Sequence, residues 1–360
     1  MLEAERPRRI LDERIAVALT VRGPHERRDD LETPFGDVRR LAPEVGEAKV
    51  DVELEEVDSC GLAHTARVRA TSDDIIGLQG KARRPLESRD GQDPGRAGAH
   101  PDRESPERAV ELLVERGYDA CEIDFESGFW MDYPWAERLG ELAREHDIAL
   151  SVHAPLFGWV GHLETSGRKW SSALGALDRS AGIAAACGGE VVVFHPGFLL
   201  GRSREDSIDA VAEQLALVRE RLEGKDRAVP FGIEVMGRVR DLGSLADCVE
   251  VSRRAGWVRP VIDFAHMHAT SDGAFVAQEP FRDALVLVDG VLVGGVPFHV
   301  HFSDIAFANR NETKHLPYGN GTLRADPLRT ALDPFDRPAT VISESPDEAS
   351  SQAIRAALTG

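Results

Sequence analysis

The feature that most restricts the fold of this chain is a regular alternation of short apolar segments with longer amphipathic ones, from Ser105 onward. Ser105 and Pro106 predict the start of a helix, because serine caps a helix and proline suits its first turn, and Gly117 predicts its end. The segment Asp119–Phe125 then alternates apolar and polar side chains with a period of two, which is typical of a strand. Repeated pairs of this kind predict parallel strands joined by helices.

Seven such β/α units can be read from Ser105 onward, and their short apolar strands are typical of a parallel sheet that is buried on both faces. An eighth strand is expected upstream, and we favour Ala66–Thr71 over its rival Arg14–Arg22. Eight units predict an α/β fold of the (β/α)8 TIM-barrel type. No strand is followed by a Gly-x-Gly-x-x-Gly turn, which disfavours a dinucleotide-binding sheet.

The chain has 360 residues, which exceeds the roughly 250 residues of a typical TIM barrel. Residues 1–60 are therefore predicted to form an N-terminal extension that contains β-strands and has no assigned role, and residues 61–360 the barrel. The composition of Arg83–Arg103 predicts a loop. The sequence shows no signal peptide and no apolar run long enough to span a bilayer, so we expect a cytoplasmic protein with no membrane partner.

The net charge of −19 restricts the choice of partners. Acidic residues outnumber basic ones, and arginine largely replaces lysine, a composition that indicates a halophilic protein from a salt-rich cytoplasm. An acidic surface normally argues against a nucleic-acid partner. In molar salt, however, the Debye length falls to about 3 Å, so the overall charge is less diagnostic there.

Polar residues that can bind metal ions lie at the predicted ends of six consecutive strands and in one following loop. In a TIM barrel these strand ends meet at one rim, where the chemistry takes place. Imidazoles and carboxylates without thiolates are typical ligands of catalytic zinc, manganese or non-haem iron. Eight such residues are too many for one ion, so two or three ions are predicted. They are His153, His195, Glu234, Asp263, His266, His301, His315 and Glu344.

Seven short motifs contain these residues, in the order SVHAPL, VVFHPG, GIEVMG, VIDFAHMHA, HFSD, KHLPYGNG and ISESP. On these motifs the chain from Ser105 to its end resembles the endonuclease IV type (family 2) of apurinic/apyrimidinic endonuclease, among the xylose-isomerase-like TIM barrels, and looks most similar to an archaeal branch. The resemblance implies a zinc-dependent DNA-repair hydrolase. Such an enzyme would cleave the backbone of damaged double-stranded DNA 5′ to abasic sites by a zinc-activated hydroxide.

The resemblance also implies a role for each matched residue. His153 and His195 would bind a first zinc ion, which Glu234 would bridge to a second. The second ion would be completed by Asp263, His301 and Glu344, and the third would be bound by His266 and His315. Catalysis would rest on Glu234, Glu344 and Asp263.

The chain departs from the family pattern near the third ion. The family has an aspartate two residues before the histidine matched by His315, where this chain has Thr313, and Glu312 is the candidate substitute ligand. The family's minor-groove aromatic residue is replaced by Leu156. Rim cations are candidates for binding the phosphate backbone, chiefly Arg238, Arg310 and Lys314.

A different enzyme class from the same superfamily remains open. Sugar or sugar-acid isomerases and epimerases use a single divalent ion, for which manganese or magnesium is the alternative to zinc. Their ligand set would be reproduced by Glu234, Asp263, His301 and Glu344. In this alternative, Glu234 and Glu344 would transfer protons next to a carbonyl group of a small-molecule sugar.

Overall fold

The computed structural model describes residues 105–359 and the backbone of three short strands upstream, which are β1 (Ile15–Val21), β2 (Asp51–Glu53) and β3 (Arg67–Arg69). The predicted loop at Arg83–Arg103 lies outside these residues. No helix in residues 105–359 is both long and apolar enough to cross a bilayer.

Strands and helices alternate regularly after residue 105. The strands are β4 (Ala120–Asp124), β5 (Ala149–His153), β6 (Val192–Phe194), β7 (Phe231–Glu234), β8 (Val258–Asp263), β9 (Phe298–Phe302), β10 (Asp304–Ala308), β11 (Asn311–Leu316) and β12 (Ala339–Ser343). The helices are α1 (Pro106–Arg116), α2 (Tyr133–Glu145), α3 (Arg168–Cys187), α4 (Arg204–Glu223), α5 (Leu245–Ala255), α6 (Phe264–Thr270), α7 (Gln278–Asp289), α8 (Asp326–Leu332) and α9 (Glu348–Thr359).

Eight of the described strands form a closed parallel barrel in the order β1, β12, β9, β8, β7, β6, β5, β4. β1 closes it by pairing with β12 on one side and with β4 on the other, with Ile15 opposite Ala339 and Ala18 opposite Ala120. The TIM-barrel prediction is confirmed. Strand residues point alternately into and out of such a barrel, so residues two apart share the interior face.

The favoured position of the first barrel strand is wrong, because the rival segment supplies β1. Its sequence IAVALTV is apolar at every position except Thr20, which suits a buried parallel strand, whereas β3 has arginine at both ends. β3 instead pairs antiparallel with β2, within a separate compact unit, Pro24–Arg96. The predicted boundary at residue 60 therefore separates β1 from the barrel to which it belongs.

Local signals at the start of the repeat are confirmed. The hydroxyl of Ser105 accepts a hydrogen bond from the backbone N–H of Arg108 at 3.1 Å, and Gly117 ends α1 with φ of +72°. A positive φ at this position favours glycine, because a Cβ would be strained there.

Two segments near the rim have a structure that the sequence analysis did not resolve. β8 ends at Asp263 and is followed directly by α6, so the motif VIDFAHMHA is divided between a strand and a helix. The polar loop predicted after β9 is a hairpin of β10 and β11. Its two turn residues, Asn309 and Arg310, have φ of +52° and +62°, the signs that a two-residue hairpin turn requires.

Candidate metal centre

The predicted ligands converge at the carboxyl ends of the barrel strands. His153, Glu234 and Asp263 are the last residues of β5, β7 and β8, so their side chains reach the same rim. His195 follows β6 directly and Glu344 follows β12 directly. The apolar run of each strand places these polar residues where the barrel interior meets the rim, as the sequence predicted.

Glu234 lies at the middle of this group, and its side chain is only 1% exposed. Its Oε2 atom is 2.9 Å from Nε2 of His153 and 3.0 Å from Nε2 of His195, and its Oε1 atom is 3.1 Å from Nδ1 of His301. Burial by itself raises the pKa of Glu234, but the surrounding imidazoles hold that pKa well below its usual range. Glu234 is therefore an ionised carboxylate that contacts three histidines.

Asp263 and His266 are brought together by the start of α6. Asp263 caps this helix and accepts a hydrogen bond from the backbone N–H of His266 at 2.7 Å. The first helical turn therefore directs the imidazole of His266 back over the rim, and its Nδ1 atom lies 2.8 Å from the carbonyl oxygen of Val235. Burial next to Glu344 and Glu234 raises the pKa of Asp263 to about 8.

A second cluster of ligand atoms contains Asp263, His301 and Glu344, which all lie within 4.8 Å of one another. Oδ2 of Asp263 and Nε2 of His301 are buried and make no hydrogen bond with well-oriented geometry, although each lies close to an oppositely charged group. Each of these two buried atoms is therefore held by a charged neighbour, Oδ2 of Asp263 by Nδ1 of His266 at 3.0 Å and Nε2 of His301 by Oε1 of Glu122 at 2.9 Å.

A third cluster contains His266, Glu312 and His315, again within 4.8 Å of one another. Oε2 of Glu312 lies 2.8 Å from Nε2 of His266. Thr313 does not take part, because its hydroxyl donates a hydrogen bond to the carbonyl oxygen of Ala306 at 2.9 Å and the residue is exposed.

A β-bulge explains why Glu312 rather than Thr313 faces the histidines. In the hairpin, His315 pairs with Ile305, but the register shifts so that Glu312 pairs with Phe307 and Thr313 has no opposite residue. Paired residues share a face of the hairpin, so this shift places Glu312 on the same face as His315. The hairpin thus presents a carboxylate one position earlier than the family pattern does.

Two further carboxylates, Glu122 and Glu126, approach the site, although neither is among the ligands predicted from the sequence. Glu122 is fully buried within the barrel, where it contacts His301, His299 and Ser151. Glu126 lies within 4.8 Å of the ligand atoms of His153 and His195. The signal for Glu122 was present in the period-two alternation of β4, which places Glu122 on the interior face.

The histidines are oriented as metal-binding histidines usually are. Such a residue presents one ring nitrogen to the ion while the other is held by a carbonyl oxygen or a carboxylate. Nδ1 of His153 lies 2.9 Å from the carbonyl oxygen of Ala154, and Nδ1 of His266 is held by that of Val235. Their Nε2 atoms face carboxylates, so the donor set fits divalent ions of the zinc or manganese type.

The buried carboxylates of the site raise the pKa values of the histidines that they contact. Burial lowers the pKa of His153, but Glu234 outweighs that effect and raises it to about 10. Asp263 and Glu312 raise the pKa of His266 well above its usual range, again against burial. Because a metal ion takes the place of such protons, ion binding at these residues would release them.

The three predicted phosphate-binding residues are exposed and lie on two rim segments. Arg238 follows β7, pairs with Asn311 of the hairpin and has its Nε atom 3.8 Å from Glu312. Arg310 forms the hairpin turn, where its Nε atom donates a hydrogen bond to the carbonyl oxygen of Thr270 at 2.7 Å. Lys314 is exposed on β11.

The barrel and its site match a known family. The sequence model of the xylose isomerase-like TIM barrel family covers residues 110–359. The chain belongs to this family. An uncharacterised protein of Methanocaldococcus jannaschii is 28% identical over 254 residues, which make up 70% of this chain and 91% of that protein.

Solved structures with a similar fold carry names from both enzyme classes that the sequence left open. A D-tagatose 3-epimerase-like protein has a TM-score of 0.57 and 19% identity, covering 71% of this chain and 92% of its own. Endonuclease IV from Thermus thermophilus has a TM-score of 0.55 and 19% identity, covering 71% of this chain and 95% of its own. At these identities the similarity establishes the fold alone.

Proposed function

We propose that this protein is a metal-dependent phosphodiesterase that resembles endonuclease IV and cleaves the DNA backbone 5′ to abasic sites, using two or three zinc ions. The observation that carries the proposal is the third cluster of His266, Glu312 and His315. A sugar isomerase needs one ion and has no use for a third group of ligands next to the first two. Phosphodiester hydrolysis, in contrast, gains from several cations around one phosphate.

Three carboxylates of the site would have distinct roles in this reaction. Glu234 contacts His153 and His195 through one oxygen and His301 through the other, so its carboxylate would help these histidines to hold the ions. Bound ions would polarise the phosphoryl oxygens and lower the pKa of water, which is the chemistry that such ions supply. Asp263 and Glu344 would complete the central site.

The exposed cations of the rim would contact the DNA backbone. Arg238 lies 3.8 Å from Glu312 of the third cluster, and Lys314 precedes His315 of that cluster on β11. Arg310 lies in the turn of the hairpin. Electrostatic contacts with phosphates weaken as salt rises, so a protein with a charge of −19 should be assayed over a range that includes high salt.

Two measurements test the proposal. Metal analysis of the purified protein should find two to three zinc ions per chain, and an abasic-site duplex should be incised on the 5′ side of the lesion. Glu234→Gln should abolish incision, while Glu250→Gln on the surface of α5 should leave it unchanged. If the metal-loaded protein leaves the duplex intact across the salt range, the proposal is wrong.

A second candidate function is a sugar or sugar-acid isomerase or epimerase with one manganese or magnesium ion. It is supported by the approach of Glu234, Asp263, His301 and Glu344 to one another, and by the overall similarity to a D-tagatose 3-epimerase-like protein. One divalent ion per chain, together with conversion of a ketose or a sugar acid, would favour this candidate over the nuclease.

A further inference from the structure

A cavity of about 910 Å³ lies at the end of the barrel opposite the candidate metal centre. Its lining includes Ala149, Val258 and Ala339, which are the first residues of β5, β8 and β12. The candidate metal ligands lie at the other ends of the same strands. Cavities of roughly 300–1,000 Å³ are of the size that holds small molecules in proteins.

Arg259 is the unusual residue of this cavity. It is two positions before Val261 and four before Asp263 on β8, so it shares their interior face, and only 9% of its surface is exposed. Among the described residues, its Nε and Nη2 atoms have no hydrogen-bond partner and no carboxylate forms an ion pair with it. Burial lowers the pKa of Arg259 to about 10, which still leaves it charged at neutral pH.

A buried cation without a paired anion is costly, so such residues are normally paired. Two carboxylates act on Arg259 from a distance, Glu190 at the cavity and Glu122 deeper in the barrel. Neither is close enough to bind it, and Glu122 is already held by two histidines and a serine. Within residues 105–359, the guanidinium group of Arg259 therefore lacks the anionic partner that a buried cation normally has.

The rest of the lining indicates what kind of partner would fit. The indole Nε1 of Trp257 is buried and also makes no hydrogen bond within the described part of the chain. Most of the other lining side chains are aliphatic, among them Val291, Leu292 and Val296. The cavity thus combines two unsatisfied N–H donor groups with an extended apolar wall.

We infer that this cavity is a binding site for a small organic anion, whose carboxylate or phosphate group is bound by Arg259 and Trp257 and whose apolar body packs against the aliphatic wall. Guanidinium groups bind both kinds of anion through paired hydrogen bonds. The inference does not rest on the proposed nuclease function, because it concerns the opposite end of the barrel.

Calorimetry with three probes tests the inference, using octanoate, inorganic phosphate and the neutral analogue octanol at constant ionic strength. We expect one octanoate to bind per chain and octanol to bind at least tenfold more weakly. Competition by phosphate would identify the phosphate group as the preferred head, and lack of competition the carboxylate. If neither anion binds, or if octanol binds as well as octanoate, the inference is wrong.

Substitutions in the cavity test which residues bind octanoate. Arg259→Met should weaken octanoate binding at least tenfold without lowering the thermal midpoint of the free protein, since it removes an unpaired buried charge. Arg259→Lys should weaken binding less, and Trp257→Phe should remove the ligand-induced change in tryptophan emission. Arg282→Gln on the surface of α7 and Glu234→Gln should bind octanoate normally. Unchanged binding to a folded Arg259→Met protein would overturn the assignment, as would loss of binding in Glu234→Gln.

Discussion

Oε1 of Glu122 lies 2.9 Å from Nε2 of His301, while Nδ1 of the same ring faces Oε1 of Glu234 at 3.1 Å. The imidazole is thus placed between two buried carboxylates. Glu122 is held in turn by Nε2 of His299 at 3.0 Å and by the hydroxyl of Ser151 at 2.7 Å. Carboxylates behind metal-binding histidines fix the ring orientation and make the facing nitrogen a better donor, so we expect Glu122 to position His301 for metal binding.

Replacing Glu122 with glutamine should weaken metal binding by about 10- to 100-fold, the usual effect of losing such a carboxylate. The amide would remove the negative charge behind His301. It also has only one oxygen, so it could not accept hydrogen bonds from His301, His299 and Ser151 together. Competition with a chelator, followed by metal analysis, measures the affinity. Ser151→Ala is the matched control, because it removes one donor but keeps the carboxylate, and its effect should be much smaller. A Glu122→Gln protein with unchanged affinity would show that Glu122 does not position His301.

Gly237 lies directly against Glu312 of the third cluster. A Cβ at this position would lie 2.6 Å from Oε2 of Glu312, so Gly237→Ala must displace the carboxylate of Glu312. Because that carboxylate is the end of a flexible side chain, stability should change little while the metal content falls by one ion per chain. Gly175→Ala is the control: its Cβ meets nothing within 4 Å on α3, so it should keep all ions. Full metal content in Gly237→Ala would contradict a role for Glu312 as a ligand.

Arg310 occupies a backbone conformation that glycine adopts more easily, with φ of +62°. Arg310→Gly should therefore keep the hairpin folded, with a free energy of unfolding within about 1 kcal/mol of the native value. If Arg310 contacts a phosphate, the variant should bind an abasic-site duplex more weakly and reduce the salt dependence by about one charge. Asn309→Gly removes the side chain of the other turn residue with a positive φ and keeps the charge of Arg310. This variant should therefore bind the duplex like the native protein. Unchanged salt dependence in Arg310→Gly would exclude the contact.

Asp178 on α3 makes ion pairs with Arg221, Lys225 and Arg227, of which those to Arg221 and Arg227 measure 2.9 and 2.8 Å. Burial by itself raises the pKa of Asp178, but these cations outweigh it and lower the pKa. Asp178→Asn should reduce the free energy of unfolding at neutral pH by about 1.5–3 kcal/mol, the usual value for hydrogen bonds to charged groups.

The stabilisation by Asp178 depends on pH, and its direction follows from the lowered pKa of this carboxyl group. The stabilisation by Asp178 is fully present above the pKa of an unfolded aspartate, about 3.9, and is lost as pH falls through the lower folded value. Denaturant unfolding at pH 7, 5 and 4 should therefore show a nearly constant difference between native protein and Asp178→Asn, which narrows only under more acidic conditions. Asp209→Asn, which removes an exposed ion pair to Arg254, should cost less than about 1 kcal/mol throughout. A difference that disappears already at pH 5 would contradict this account.

Local chemistry made much of the fold and the site predictable. The cap at Ser105 and the stop at Gly117 depend on neighbouring residues only, so the sequence was sufficient for both. The convergence of His153, Glu234 and Asp263 was also predictable, because residues at the ends of parallel barrel strands must meet at one rim.

Features that depend on strand register could not be predicted with the same success. β1 is defined by its pairing with β12 and β4, which are distant in sequence, and an apolar segment alone does not reveal its neighbours. The face on which Glu312 lies is set by a bulge opposite Phe307, and no local pattern marks that bulge. Glu122 was not predicted as part of the site because its contacts are with His299 and His301, on a strand nearly 180 residues later.

The position of β1 also has a consequence for how the protein is made. β1 emerges from the ribosome before its two neighbours, and β12 is the last of the barrel strands. The pairing of Ile15 with Ala339 therefore cannot form until almost the whole barrel has been synthesised. Pairing over such a separation is slow and leaves apolar strand edges exposed in the meantime. Glu344 directly follows β12 and can reach Asp263 and His301 only when β12 is in place. Completion of the ligand set therefore requires β12 to be paired in the barrel.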